Sequence, residues 1–465
     1  MECLVKLPAE IIEIILDNAD YSVLETLRGV SKVLNKAASR RLYRRLTVDD
    51  GHAGLLARLI SHTSNLSSAF SELKIISFPQ RRRSFIPGFL SSRRNAQQDL
   101  LIVLRGLEHV STVSICARAF LSMPADLRAT TIQAIGALPA LCHLKLDLRD
   151  LENSNHIIDA FAQTFRNLCS LEITGGAKYH AALAPIVLQS PQLASLTVNA
   201  GHHKSHDVQN ILQSISRATS IRTLDLDSVT ATSLSSPLVL QRFPSLCSLT
   251  LGSEVPDSVW NTLRTSNISL REVTTRTQPS YALLSYLQSF DGLSVLSING
   301  ERGAGLNNSD GDKADCDYVQ VFWACVVLRH APTLERLDAT GCRLGRDDVG
   351  VLKACSQLRR LDICVDGQDP SGGITNAFFD MVDEGFMPKL RSVNVGLYSH
   401  PQAGAAGMVK AHHELQEIVG GYRCTAPGEC LKTLRVNTGH MVDNVLVKEV
   451  RSNQWKFKLD QVATY

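Results

Sequence analysis

The chain has 465 residues, 44% of them apolar and 20% charged, so it is too long for one compact core and too apolar to be disordered throughout. A formal net charge of +3 makes no electrostatic case for nucleic acid. The longest apolar-rich run, "YVQVFWACVVL" at 318–328, falls well short of the roughly 20 residues that span a bilayer, so no membrane segment is expected.

The first elements are helical. Pro8 suits a first helical turn, and Ile11, Ile12, Ile14, Ile15 and Leu16 follow it on more than one face. Ser22-x-x-Glu25 has the form of a capping box and predicts a second helix carrying Leu24, Leu27 and Val30. A third would carry Val33, Leu34, Ala37 and Ala38 and end near "RRLYRRL". Three short helices make a domain that barely stabilises itself. Residues 28–105 then hold fifteen Lys/Arg against four acids; the runs "RRR" (81–83) and "SSRRN" (91–95) read as part of a solvated loop between the helices and the repeats, with a nuclear import signal or phosphate contacts as the alternative. The opening apolar run is interrupted by Pro8, Glu10 and Glu13 and does not read as a secretory signal. With twelve scattered cysteines, this predicts a reducing compartment, cytoplasm or nucleus.

From there one phrase recurs, apolar-x-x-apolar-x-apolar. Weak forms start at 73 and 110; stronger ones start at 141, 168, 193, 221, 246, 270, 293, 334, 358, 390 and 431. The end of each phrase alternates apolar and polar, the period of a half-buried strand. The outward column reads Lys145, Glu172, Thr197, Asp225, Thr250, Thr274, Ser297, Asp338, Asp362, Asn394 and Arg435, all polar. Amphipathic stretches such as "NHIIDAFAQTF", "HDVQNILQSIS", "YALLSYLQSF" and "DDVGVLKAC" read as helices that return the chain to the next strand. In 318–328, Val319, Phe322, Trp323, Val326 and Val327 fit one buried helical face. One strand and one helix cannot bury their own apolar faces, whereas stacked neighbours can.

Two resemblances follow from these residues. The phrases over 107–437 resemble leucine-rich repeats of the irregular, ribonuclease-inhibitor-like kind. "LPAEIIEIIL" followed by "VLETLRGVSKVLNKAASRRLYRRL", closing on Tyr43, resembles an F-box, with Leu34 where many members carry Trp. Together they imply an α/β fold, a leucine-rich repeat solenoid preceded by a small all-α F-box domain. The expected domains are 1–48 F-box, 49–106 basic segment with a degenerate first repeat, 107–437 solenoid and 438–465 C-terminal cap or tail. The F-box resemblance implies docking on a Skp-type adaptor, and through it a cullin–RING scaffold, by Leu7, Pro8, Ile11, Ile15, Leu24, Leu27 and Leu34. The expected role is a non-catalytic substrate receptor of an SCF-type ubiquitin ligase. An interaction scaffold without ubiquitin transfer stays open beside it. On the concave strand face, Arg336, Asp338, Arg360 and Asp362 form a charged patch expected to meet an unknown target protein.

Other signals point to no chemistry. There is no P-loop, nucleophile elbow, dinucleotide fingerprint or paired-His zinc helix, and no cofactor is expected. His202, His203 and His206 lie together in a loop pattern, and Cys424 and Cys430 have no second pair, so no metal is expected. Cys142, Cys169 and Cys247 share one repeat position and read as packing residues. Residues 302–316, rich in Gly, Asn, Ser and Asp, are expected to be a mobile insertion.

Overall fold

The structure is a computed structural model. It describes Pro8 and residues 11–12, 15–16, 19–48, 69–77, 101–149, 151, 154–199, 212, 220–226, 234, 236–240, 242–252, 255–276, 279–299, 318–366, 373–398, 415, 417–418, 422, 431, 433–437, 444–449 and 454–459. Leu7, the basic runs at 81–83 and 91–95, the three clustered histidines, residues 302–316, Cys424 and Cys430 lie outside the described residues. The chain divides into two compact units, Met1–Ile221 and Arg222–Tyr465.

The first unit opens on helical residues Ile11, Ile12, Ile15 and Leu16, then helices α1 (Tyr21–Arg28) and α2 (Lys32–Leu42). Its sheet is wholly parallel and in chain order: β1 (Arg45–Val48), β2 (Glu72–Ile75), β3 (Thr112–Cys116), β4 (His143–Asp147), β5 (Ser170–Thr174) and β6 (Ser195–Asn199). Parallel neighbours need a crossover, supplied by α3 (Ala125–Gly136), the amphipathic α4 (Asn155–Thr164) and the largely apolar α5 (His180–Leu188), while the expected helix at "HDVQNILQSIS" lies outside the described residues apart from Leu212. Each strand buries alternate residues, Leu144 and Leu146 in β4 and Leu171 and Ile173 in β5. The helices meet them with Ile157, Ile158 and Phe161, whose ring sits edge-on to Phe120 at 5.7 Å. Fully burying one such side chain contributes about 1.5–3 kcal/mol, and stacking repeats the gain along the array.

Two features of this unit differ from the sequence expectation. Arg45–Val48 is the first strand of the sheet, although "RRLYRRL" reads as a helix end and 1–48 as all-helical. The helix stops at Leu42, and Leu46 and Val48 then alternate into the core. The cap of α1 is Asp20, whose carboxylate accepts from Val23 N at 2.9 Å; Ser22 lies inside the helix and donates to the same carboxylate. After β5, Gly175 and Gly176 sit at φ 71° and 61°, and a Cβ on Gly176 would lie 2.5 Å from Leu148 Cβ.

The second unit repeats the plan. Parallel strands β7 (Thr223–Leu226), β8 (Ser248–Leu251), β9 (Glu272–Thr275), β10 (Val295–Ile298), β11 (Arg336–Leu344), β12 (Arg360–Asp366), β13 (Ser392–Tyr398) and β14 (Thr433–Asn437) follow in order. Helices α6 (Asp257–Thr265), α7 (Tyr281–Leu287) and α8 (Gly373–Asp383) cross between them. The sheet ends differently: β15 (Asn444–Glu449) and β16 (Gln454–Leu459) are antiparallel additions to β14. Thus all thirteen recurring phrases are strands, and the segment after 437 contributes two more. Within each unit, one parallel strand per repeat with crossover helices fits a repeat solenoid.

The core of the second unit holds Trp260, Tyr286, Phe322, Trp323 and Phe378. Trp260 stacks on Tyr286 at 5.9 Å, and the Tyr286 hydroxyl donates to Ile268 O. The run 318–328 is helical, with a π-turn over Phe322–Val327; Phe322, Trp323, Val326 and Val327 are buried, and Val319 only partly. His330 ends it, fully buried, with Nε2 2.9 Å from Leu287 O and Nδ1 accepting from Leu293 N. Burial lowers its pKa, so it serves as a neutral bracket between repeats.

Candidate functional site

Two surfaces stand out. On the N-terminal helices, Ile12, Leu16, Leu24, Leu34 and Ala38 form a private core, with Leu27, Val30 and Leu42 packed partly against it. The Pro8 carbonyl accepts from the N–H groups of Ile11 and Ile12, which starts the first helix. Ile12 and Leu16 are four apart and face inward; Ile11 and Ile15 are also four apart and remain 42% and 41% exposed. Val23 on α1 and Val33 on α2 are 44% and 51% exposed, and Pro8 is exposed. Of the residues expected to dock on an adaptor, Pro8, Ile11 and Ile15 are therefore accessible and Leu27 is half-buried. Leu24 and Leu34 are corrected: at 6% and 2% exposure they pack in the helices' own core and are not exposed surface groups. Val23 and Val33 were not picked from the sequence, since each stands beside a core leucine and reads as part of the same run.

The domain's end is fixed by Tyr43. Arg28 lies over its ring at 5.1 Å and donates to its hydroxyl at 2.8 Å. Ser31 caps α2 by accepting from Leu34 N.

The second surface is the polar face of the strands. Register joins the expected column in each unit. Lys145, Glu172 and Thr197 are consecutive partners in the first. Asp225, Thr250, Thr274, Ser297, Asp338, Asp362, Asn394 and Arg435 are consecutive partners in the second. Lys145 and Glu172 form an exposed ion pair at 2.6 Å.

The charged patch is assembled as expected in register but not in exposure. Arg336 pairs with Arg360, and Asp338 with Asp362, across β11 and β12. Both carboxylates are buried, Asp338 at 7% and Asp362 at 2%, which corrects their reading as surface groups. Asp362 accepts from Arg360 Nε at 2.7 Å within its own strand. Asp338 accepts from Ser297 Oγ and from Thr340 N. Thr340 Oγ1 lies 2.9 Å from Asp338 Oδ1 and 2.7 Å from Asn299 Oδ1, two acceptors for a single hydroxyl proton. Burial, then the Asp362 carboxylate, push the Asp338 pKa upward. A register shift between Ala339 and Arg343 bulges β11 here and places Cys342 inside. Burial also pushes Cys342 up, and Cys355 up to about 12, so both stay thiols rather than nucleophiles. Cys142 and Cys247 direct their thiols at the carbonyls of Ser111 and Arg222 beside the strands.

Among the described residues no group of three or more His, Cys, Asp or Glu side chains is arranged to hold a metal, and no helix is long and apolar enough to cross a membrane. No family model matches the chain, and no curated protein matches it. Among solved structures it is similar to a Bacteroides fragilis protein at 12% identity, over 85% of this chain and 73% of that one, with a TM-score of 0.22. Agreement that low carries no argument about fold or function.

Proposed function

We propose that the chain is a non-catalytic receptor of an SCF-type ubiquitin ligase, acting in the cytoplasm or nucleus. Its N-terminal helices are an F-box that docks on a Skp-type adaptor. Its strands are leucine-rich repeats whose polar face holds a target protein, and the ubiquitin chemistry belongs to other subunits. The observation that carries this reading is the exposure of Ile11 and Ile15 on a small domain already holding a separate core of Ile12, Leu16, Leu24, Leu34 and Ala38. Large apolar side chains left out of a small core are what a partner completes. They lie within the stretch that resembles an F-box, and repeats follow it as in many members of that family.

The test is a double substitution, Ile11→Asp with Ile15→Asp. Both sites are exposed, so the fold should survive. Truncating or charging buried anchors at an interface centre costs about 2 kcal/mol or more, and tenfold is 1.4 kcal/mol. Capture of a Skp-type adaptor should fall by well over tenfold while the thermal melt is unchanged. Equal capture by variant and wild type would remove the F-box reading. Adaptor captured without cullin would instead leave a scaffold.

A further inference from the structure

Burial of the two carboxylates changes the sign of the surface above them. Arg336 and Arg360 are direct register partners on β11 and β12, so two guanidinium side chains stand on neighbouring strands about 4.8 Å apart. A second row runs beside them at the start of the strands: Arg359 N donates to Glu335 O, and Arg391 N donates to Arg359 O. That ladder sets Arg359 and Arg391 in consecutive positions. Arg336, Arg359 and Arg391 are exposed, and the Arg360 side chain is 40% exposed.

The counter-charge is small and already engaged. Asp362 lies beneath Arg360, and Glu335 is 3.5 Å from Arg359. Asp338, the carboxylate nearest in register to Arg336, is turned to Ser297 and Thr340. Among the described residues neither Arg336 nor Arg391 has an ion pair. Like charges directly opposite one another on a sheet are destabilising, so this arrangement stores a preference for an anionic partner. Arginine favours carboxylates and phosphates because its planar fork gives two parallel hydrogen bonds.

We infer that this cluster at the start of β11–β13 is the docking site for an acidic segment of a protein partner, read by paired Arg–carboxylate or Arg–phosphate contacts. The inference rests on the repeat sheet being the partner-holding surface and is independent of ubiquitin transfer. A nucleic-acid backbone fits less well. The cluster is only three strands wide, and exposed Glu335 and Glu272 interrupt the same rows, where a continuous polyanion would meet repulsion.

The experiment uses the full chain and fluorescence anisotropy with three synthetic peptides of one length. One carries a run of Asp and Glu, one carries phosphoserines, and one is neutral. Either acidic peptide should bind and the neutral one should not; which is tighter identifies carboxylate or phosphate as the group read. Arg336→Ala with Arg391→Ala should weaken binding about tenfold, equivalent to 1.4 kcal/mol, without moving the thermal melt. Lys32→Ala with Lys36→Ala removes the same charge from α2 and should change nothing. Equal losses in the two variants, no binding by either acidic peptide, or tighter binding of duplex DNA or anionic vesicles would each overturn the inference. The Ile11/Ile15 variant should keep peptide binding, so failure of this site and failure of the adaptor reading remain separate results.

Discussion

At the scale of single residues, alternation along a strand decides what a side chain is worth. Leu249 is fully buried in β8, and its neighbour Thr250 stands on the polar face. Leu249→Ala should cost roughly 2–5 kcal/mol as a truncation in a packed core. Thr250→Ala should stay within about 0.5 kcal/mol, and denaturant melts of the pair would expose a misread register as equal losses. Asp338 makes a different prediction. Its folded pKa is raised above its unfolded value, so the folded state binds more protons and stability is lost as pH rises through the folded pKa. Asp338→Asn removes that charge and keeps the shape. It should raise Tm at neutral pH, and the gain should vanish below about pH 4, near the unfolded carboxylate pKa. A gain that persists undiminished in acid would mean the charge is not the cause.

At the scale of elements, the helical domain shows how little holds a small unit together. Among the described residues its core is five buried side chains, and its second helix is capped by Ser31. Ser31→Ala should cost about 1 kcal/mol. Loss of that size in a small core should appear as faster hydrogen exchange in α2 with the repeats unchanged. Uniform exchange across the chain would instead mean that the helices and the repeats unfold together. The repeats are better supported: among the described residues, inner strands such as β4, β5, β8 and β12 are paired on both sides, and helices such as α4 and α6 bury apolar side chains in the same core. Where the sequence pattern breaks, a local device takes over: His330 brackets two repeats, Asn167 and Asn267 take left-handed conformations between helix and strand, and β11 absorbs its extra residues as a bulge.

For the molecule as a whole, the notable element is the antiparallel end of the second unit. A parallel array has a last strand with unpaired N–H and C=O groups, a template for association. Here β15 covers β14, and β16 covers β15. Removing residues 438–465 should leave β14 open and produce concentration-dependent association, measurable by light scattering. A truncated chain that stays monomeric at all concentrations would show that the hairpin is dispensable as an edge cover.

The repeats were legible because a strand period of two and a helix period near 3.6 are local properties, written into residues such as Leu224, Asp225 and Leu226. The pattern could not separate Ile11 and Ile15 from Ile12 and Leu16, because a helix apolar on two faces does not say which face its own domain will use. It also could not reveal that Asp338 and Asp362 are buried. Polarity in a column predicts a surface, but burial depends on neighbouring strands, on the bulge after Ala339 and on Ser297 and Thr340 as hydrogen-bond partners. Strand β1 was hidden for a related reason: four residues with two apolar positions carry too little period to compete with the helical run before them. Sequence alone determined the repeat and the alternation along each strand, both set by neighbours a few residues apart. Only the tertiary structure decided which apolar side chains were left over and which charges were exposed, since both follow from packing between residues distant in the chain.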